Sequence, residues 1–178
     1  DGDINIIATN DAFLLFIALS AAGSGGQTAV GGTFAVLVSK NSAQALVGDH
    51  VLIDSENGAV RIGADNKEII ISILAALSGS TGGTAVAATL NVMITLSRAK
   101  AIVGDHTTID AGGDIYVDVT INTFMLAIVA ALSGSTGGVA VGATLNVCVF
   151  DRDAFAHVGS NSTLTSELGD IVIQALAK

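Results

Sequence analysis

The sequence predicts an all-β protein, a parallel β-helix or β-solenoid, and three observations carry that prediction. A period of 55 or 56 residues runs through the 178-residue chain: Val47-Gly48-Asp49-His50 returns as Val103-Gly104-Asp105-His106 and, blurred, as Val158-Gly159-Ser160-Asn161. Such regularity means stacked equivalent units around one continuous core. Most segments between the turns alternate with a period of two, the mark of a strand with one buried face. The composition, 51% hydrophobic and 4% aromatic with no proline or tryptophan, suits narrow, closely stacked strands better than a thick core of large side chains.

Other landmarks keep the same step. Ser78-Gly79-Ser80-Thr81-Gly82-Gly83 returns as Ser133-Gly134-Ser135-Thr136-Gly137-Gly138, with Gly23-Ser24-Gly25-Gly26 a copy one residue shorter. Thr89-Leu90-Asn91-Val92 returns as Thr144-Leu145-Asn146-Val147. The chain divides into repeats 1–56, 57–111 and 112–167 and the start of a fourth at 168–178, all in one solenoid segment, 1–178. One solenoid coil takes on the order of 20 to 30 residues, which predicts two or three coils per repeat. The alternative is long hairpin-like strands paired antiparallel across the Ser/Gly-rich link.

Each repeat holds five segments. In the first, Ile4 and Ile6, Val60 and Ile62, Ile115 and Val117, and Ile171 and Ile173 point one way, beside the variable Asn5, Arg61, Tyr116 and Val172. A face that is always aliphatic beside one that tolerates Arg, Tyr and Asn is an inside and an outside. The second segment is apolar on both faces: Phe13, Leu15, Ile17 and Leu19 match Ile69, Ile71, Ile73 and Ala75, while Leu14, Phe16, Ile70, Leu74, Met125 and Val129 fill the alternate positions. Such a run is a strand buried on both faces or a short buried helix, and its β-branched content and trailing glycines favour the strand.

In the third segment, Phe34, Val36 and Val38 match Leu90, Val92 and Ile94, then Leu145, Val147 and Val149, which reads as the inner face. Thr33, Thr89 and Thr144, with Ala35, Asn91 and Asn146, then fall outside. The fourth repeats Ala45 and Val47 as Ala101 and Val103, then Ala156 and Val158, and the fifth offers Ile53, Ile109 and Leu164. Stacking turns these columns into ladders of like residues, with Asn and Thr placed to hydrogen-bond along the stack.

The net charge of −9 argues against nucleic acid, which needs a basic stripe, and against electrostatic docking on anionic lipid. A single cysteine, Cys148, leaves no intrachain disulfide to form. No signal peptide is expected where Asp1 opens directly into repeat material, without a basic region and apolar stretch. The uncharged runs Ile69 to Leu77 and Phe124 to Leu132 stop well short of the roughly 20 residues a spanning helix needs, so no membrane span is expected.

Gly2-Asp3-Ile4-Asn5-Ile6 and Gly169-Asp170-Ile171-Val172-Ile173 are the same part of the repeat. Solenoid ends usually carry polar caps, and no cap is legible in either stretch. The expectation is a slice of a longer array or ends that meet head to tail. Ile4, Ile6, Ile171 and Ile173, with the surplus apolar positions Leu14, Phe16, Ile70, Leu74, Met125 and Val129, are the residues expected to mediate assembly with further copies or adjoining repeats.

An apolar strand, a Ser-Gly-rich link, a small-residue strand such as 139–147, an Ala-x-Val-Gly turn and a Gly-Asp-Ile-x-Ile strand together resemble the repeats of giant bacterial filamentous adhesins, the haemagglutinin-like and autotransporter-like surface proteins. The resemblance covers essentially the whole chain. It implies a right-handed β-solenoid stalk, exported to the cell surface or released, that serves adhesion or matrix structure, with a host or neighbouring-cell surface among its partners.

Candidate sites are few. Asp49 and His50 stack over Asp105 and His106 and could pair as surface metal ligands, although Ser160 and Asn161 interrupt the array. Asp3, Asp114 and Asp170 lie in Gly-Asp turns where calcium could bridge coils as a cofactor; Ala59 breaks that row and a turn aspartate ordinarily bonds its own backbone. The glycine tracts lack the Gly-Lys-Ser/Thr ending of a phosphate loop. Cys148 aligns with Met93 and Leu37, and His157 with Leu46 and Ile102, and no serine sits in a nucleophile elbow. No catalytic residue is therefore predicted, and a structural role is favoured. A carbohydrate-active β-helix is the alternative, and ice binding on the Thr33, Thr89 and Thr144 column, with Thr108 and Thr163 on another face, a third.

Overall fold

A computed structural model describes residues 2–178. The first coil consists of β1 (Ile4–Ser24), β2 (Thr28–Val47) and β3 (Leu52–Ser55). The second consists of β4 (Val60–Ser80), β5 (Thr84–Val103) and β6 (Thr108–Ala111), and the third of β7 (Ile115–Ser135), β8 (Ala140–Val158) and β9 (Thr163–Ser166). A tenth strand, β10 (Ile171–Ala177), begins the next turn of the same path. Three parallel sheets result, ordered β1-β4-β7-β10, β2-β5-β8 and β3-β6-β9. The fold is a parallel β-solenoid. Register is unbroken: Ile4, Val60 and Ile115 align, as do Thr33, Thr89 and Thr144, and Ile53, Ile109 and Leu164.

Each repeat forms one coil, not the expected two or three. The first and second segments run together as one 21-residue strand, and in the first two coils the third and fourth run together as a 20-residue strand. Asn10-Asp11-Ala12 and its counterparts Asn66-Lys67-Glu68 and Ile121-Asn122-Thr123 hold no glycine or proline that could turn the chain. The coil is therefore wide and flat, with strands about 65 to 70 Å long at ~3.3 Å per residue. Antiparallel pairing across the Ser/Gly link does not form: β1 and β2 belong to different sheets and every ladder is parallel. The second segment is strand throughout.

Two regions follow along the width of the coil. In the base all three sheets close around Val60, Ile62, Ala99, Ala101, Val103, Ile109, Ile115 and Val117, every one at 0% exposure. Burial of each Val or Ile contributes about 1.5–3 kcal/mol, so this aliphatic prism anchors the fold. Beyond Asn66 and Glu68 only two sheets continue, face to face, as a thin fin ending at the Ser/Gly links.

In the fin the third segment is turned opposite to expectation. Ala35, Thr89, Asn91, Met93 and Thr95 are buried between the sheets, and Phe34, Val36 and Val38 lie outside at 68%, 52% and 52% exposure. The reason is parity. The odd positions Ala43, Ala45 and Val47 face the base core, and an uninterrupted strand carries the same parity back to Ala35 and Thr33.

The glycines serve proximity rather than unusual backbone angles, for no described glycine has positive φ. A Cβ on Gly83 would overlap the carbonyl oxygen of Gln27, one coil below. The left-handed positions belong to His50, His106 and Asn161, with φ of 57°, 55° and 56°.

Candidate functional site

The turn carboxylates are coil-to-coil staples. Oδ1 of Asp49 accepts the backbone N–H of Asp105 at 2.8 Å, and Oδ1 of Asp105 accepts that of Ser160 at 2.7 Å. Oδ1 of Asp3 accepts the Ala59 N–H at 2.9 Å and Oδ1 of Asp114 the Asp170 N–H at 2.8 Å. The aspartate of one coil thus serves the equivalent residue of the next, which explains why Ala59 is accepted above Asp3: it needs only its N–H. At Asp114 the Asp170 backbone N–H, and then the Tyr116 hydroxyl donating to Oδ2 at 2.9 Å, hold the carboxyl below its ordinary range, and the Tyr116 hydroxyl is pushed up in return. The His50 and His106 rings stack with centroids 4.8 Å apart. Among the described residues no three His, Cys, Asp or Glu side chains are grouped to hold a metal ion.

The hydroxyls of the repeat act in the same way. Thr107 donates to the Gly48 carbonyl at 3.0 Å, and Ser162 to that of Gly104 at 2.9 Å. On the outer face of the base, Arg61 grips the Asp118 carboxylate through Nε and Nη2 at 2.9 and 2.7 Å. That bond raises the Arg61 guanidinium above its ordinary value and joins β4 to β7.

Inside the fin the side chains are small and polar. Asn91 donates to Asn146 at 3.0 Å, the expected amide ladder. The threonines bond across the fin instead: Thr33 donates to the Ala75 carbonyl at 3.0 Å and Thr89 to that of Ala130 at 2.9 Å. Their hydroxyls strap the two sheets together, so the column proposed for ordered water is interior. Ser72, Ser78 and Thr95 carry buried hydroxyl oxygens with no hydrogen-bond partner in the protein. Glu68, at 1% exposure, closes the junction with the base by accepting from Ser39 and from Ser97, the latter at 2.9 Å.

The outside of the fin is apolar on both sheets. Phe13, Leu15, Ile17 and Leu19 stand out from β1 and Phe124, Leu126 and Ile128 from β7; Val30, Phe34, Val36 and Val38 project from β2, and Leu145, Val147 and Val149 from β8. Contiguous apolar surface on this scale marks an interaction site. The assembly residues read from the sequence have to be revised accordingly. Ile70 and Leu74 are fully buried, Leu14, Met125 and Val129 share their inward columns, and Phe16 shares that of the buried Ser72, so none of the six supplies outer surface. The surplus lies on the alternate face. Ile4 and Ile6 pack against the base core, and Ile171 and Ile173 hold the same inward columns one turn on from Ile115 and Val117.

Charge is sorted by position. Residues 12–39, 69–97 and 119–150 contain no Asp, Glu, Lys or Arg. Lys40, Arg98 and Lys100 lie on the outer face of the second sheet just below the apolar band, with Asp151 and Asp153 at the same level, and Lys67, Lys178 and Asp11 border it on the first. At the opposite edge, Asp54, Glu56, Asp110 and Glu167 line an open acidic groove along the third sheet. Cys148 occupies the inward column of Met93 and is exposed on β8; His157 stacks on Phe155 at 5.5 Å. Among the described residues no helix is long and apolar enough to cross a membrane. No protein-family model, no curated protein and no solved structure matches the chain, and the functional argument accordingly rests on the placement of its own side chains.

Proposed function

We propose that the chain is a structural element, a rigid β-solenoid segment of an extracellular bacterial filament or large surface adhesin, built to extend by stacking coil on coil. The observation that carries this reading is the use made of the recurring polar groups. The turn aspartates, Thr107, Ser162 and the Asn91 to Asn146 pair each bond from one coil to the next. Groups repeated at every turn and engaged in stacking suit a load-bearing rod, in which each unit contacts only its neighbours. Adhesion to a host or neighbouring cell belongs to the same reading, through the resemblance to filamentous adhesin repeats.

The reading predicts rods in negative-stain images, with an axial spacing of about 4.8 Å per coil in aligned samples. Dispersed compact particles at every concentration, without that spacing, would overturn it. So would reproducible cleavage of a polysaccharide lost on substituting Asp110 or Glu167 in the acidic groove.

A further inference from the structure

The fin presents apolar surface on both outer faces and keeps its polar side chains inside, which reverses the usual order of a water-soluble sheet pair. From this arrangement we infer that the fin inserts into the hydrocarbon of a phospholipid bilayer, with the Ser/Gly links leading and the base left in water. The inference goes beyond the structural role, and it rests on the coil stacking of that role to close the open strand edges of the fin.

Length is the first support. The outward apolar run from Phe13 towards Gly23 covers about 11 residues, or about 35 Å at ~3.3 Å per residue. A bilayer core is about 30 Å thick, and a strand crosses it with roughly 9–11 residues, half of what a helix needs. The run that is too short for a spanning helix is therefore long enough for a strand.

Satisfaction of polar groups is the second. Lipid offers no hydrogen bonds, so backbone groups have to pair internally. β4 is paired on both sides by β1 and β7, and β5 by β2 and β8, while β1, β2, β8 and the fin part of β7 each keep one open edge that coils stacked on either end would close. Thr33, Thr89 and Asn91 bond inward across the fin or along it, and the unpartnered hydroxyls of Ser72, Ser78 and Thr95 lie between the sheets, away from the lipid-facing side. Apolar-out and polar-in alternation is the pattern of membrane-spanning strands.

Charge distribution is the third. The leading links, Gly25-Gly26-Gln27 among them, contain no charge to carry across. On the outer faces Lys40, Lys67, Arg98, Lys100 and Lys178 lie near the rim of the apolar band, beside Asp11, Asp151 and Asp153, and their long cationic side chains reach the headgroups. The acidic groove is on the far edge. A second copy laid on one face would leave the other uncovered, whereas a bilayer covers both faces at once.

The test uses the full chain and large phosphatidylcholine vesicles without anionic lipid, in flotation. Single-cysteine variants in a Cys148→Ser background carry an environment-sensitive fluorophore at Ile71→Cys in the fin or Asn5→Cys on the base. The chain should float with the vesicles, and the probe at 71, not that at 5, should shift to the blue and be quenched by nitroxides at mid-acyl depth. A double variant Ile71→Lys/Val92→Lys, shown by circular dichroism to keep its β-structure, should float at least tenfold less. Failure to float overturns the inference, as does equal flotation of the lysine variant. A blue shift at 71 that grows with protein concentration without vesicles also overturns it and assigns the faces to a second copy. None of these outcomes touches the rod spacing that tests the structural reading.

Discussion

Oδ1 of Asp105 accepts the backbone N–H of Ser160 at 2.7 Å, while the N–H of Asp105 is itself held by Oδ1 of Asp49 at 2.8 Å. One residue is thus the upper partner of one staple and the lower partner of the next. The path of the chain through the turn, with His50 and His106 at positive φ, sets the spacing that makes both bonds. Asp105→Ala should lower stability by about 1 kcal/mol, the usual net value of such a bond, in urea unfolding followed by circular dichroism. Asp105→Asn should lose less, because its amide oxygen still accepts.

The same geometry bears on calcium. With Oδ1 of Asp3 and Oδ1 of Asp114 already engaged by a backbone donor, adding calcium or a chelator should leave the thermal midpoint unchanged. A midpoint raised by calcium and restored by chelation would instead make the Asp3, Asp114 and Asp170 row a metal site.

Acid sensitivity should concentrate at Asp114. Its folded-state carboxyl lies below the ordinary value of 3.8 because the Asp170 backbone N–H, and then the Tyr116 hydroxyl, favour the charged form. The stabilisation is present above that value and is lost as pH falls through the lowered one. Tyr116 has the opposite sign: its hydroxyl is held above 10.0 chiefly by the bond to Asp114, so its contribution disappears as pH rises beyond that. Asp114→Ala should therefore be less stable than the parent at pH 7, and the gap should narrow towards pH 3. A constant gap would refute the assignment.

Gly83 and Gly79 separate close stacking from mere flexibility. A Cβ at Gly83 meets the Gln27 carbonyl, whereas one at Gly79 has nothing within 4 Å. Gly83→Ala should cost about 2 kcal/mol through overpacking, and Gly79→Ala should be neutral or gain about 0.5 kcal/mol from reduced chain entropy. Equal effects in thermal melts would show that the links stack differently.

Thr95 is fully buried with an unpartnered hydroxyl. Thr95→Val removes a desolvated polar atom at nearly constant shape and should raise stability by about 1 kcal/mol. Loss of stability on that change would mean that the hydroxyl has a partner in solution.

Much of the fold is legible in the residues. The 55- or 56-residue step became the register of every ladder, and the aliphatic columns through Ile62 and Val103 became the base core. The orientation of the third segment is not legible in its own residues, because alternation reveals two unlike faces without saying which is inside. Choosing the apolar one fails where the exterior is apolar. A usable signal was present: parity counted back from Val47 through Ala45 and Ala43 places Thr33 inside. The fin is hidden for the same reason, since the second segment is apolar on both faces and only its packing turns Leu14 and Ile70 inward.

The sequence alone determined that the chain repeats, that its segments are strands, and where glycines and aspartates mark the turns. These depend on local spacing and stereochemistry, which are written in neighbouring residues. Tertiary structure alone decided that one repeat is one coil, that hydroxyls and amides line the fin while Phe13 and Phe34 face outward, and that charged side chains of both signs gather at its rim. Those outcomes depend on which surfaces meet when strands far apart in the chain are brought together, and a period-two pattern carries no sign for inside.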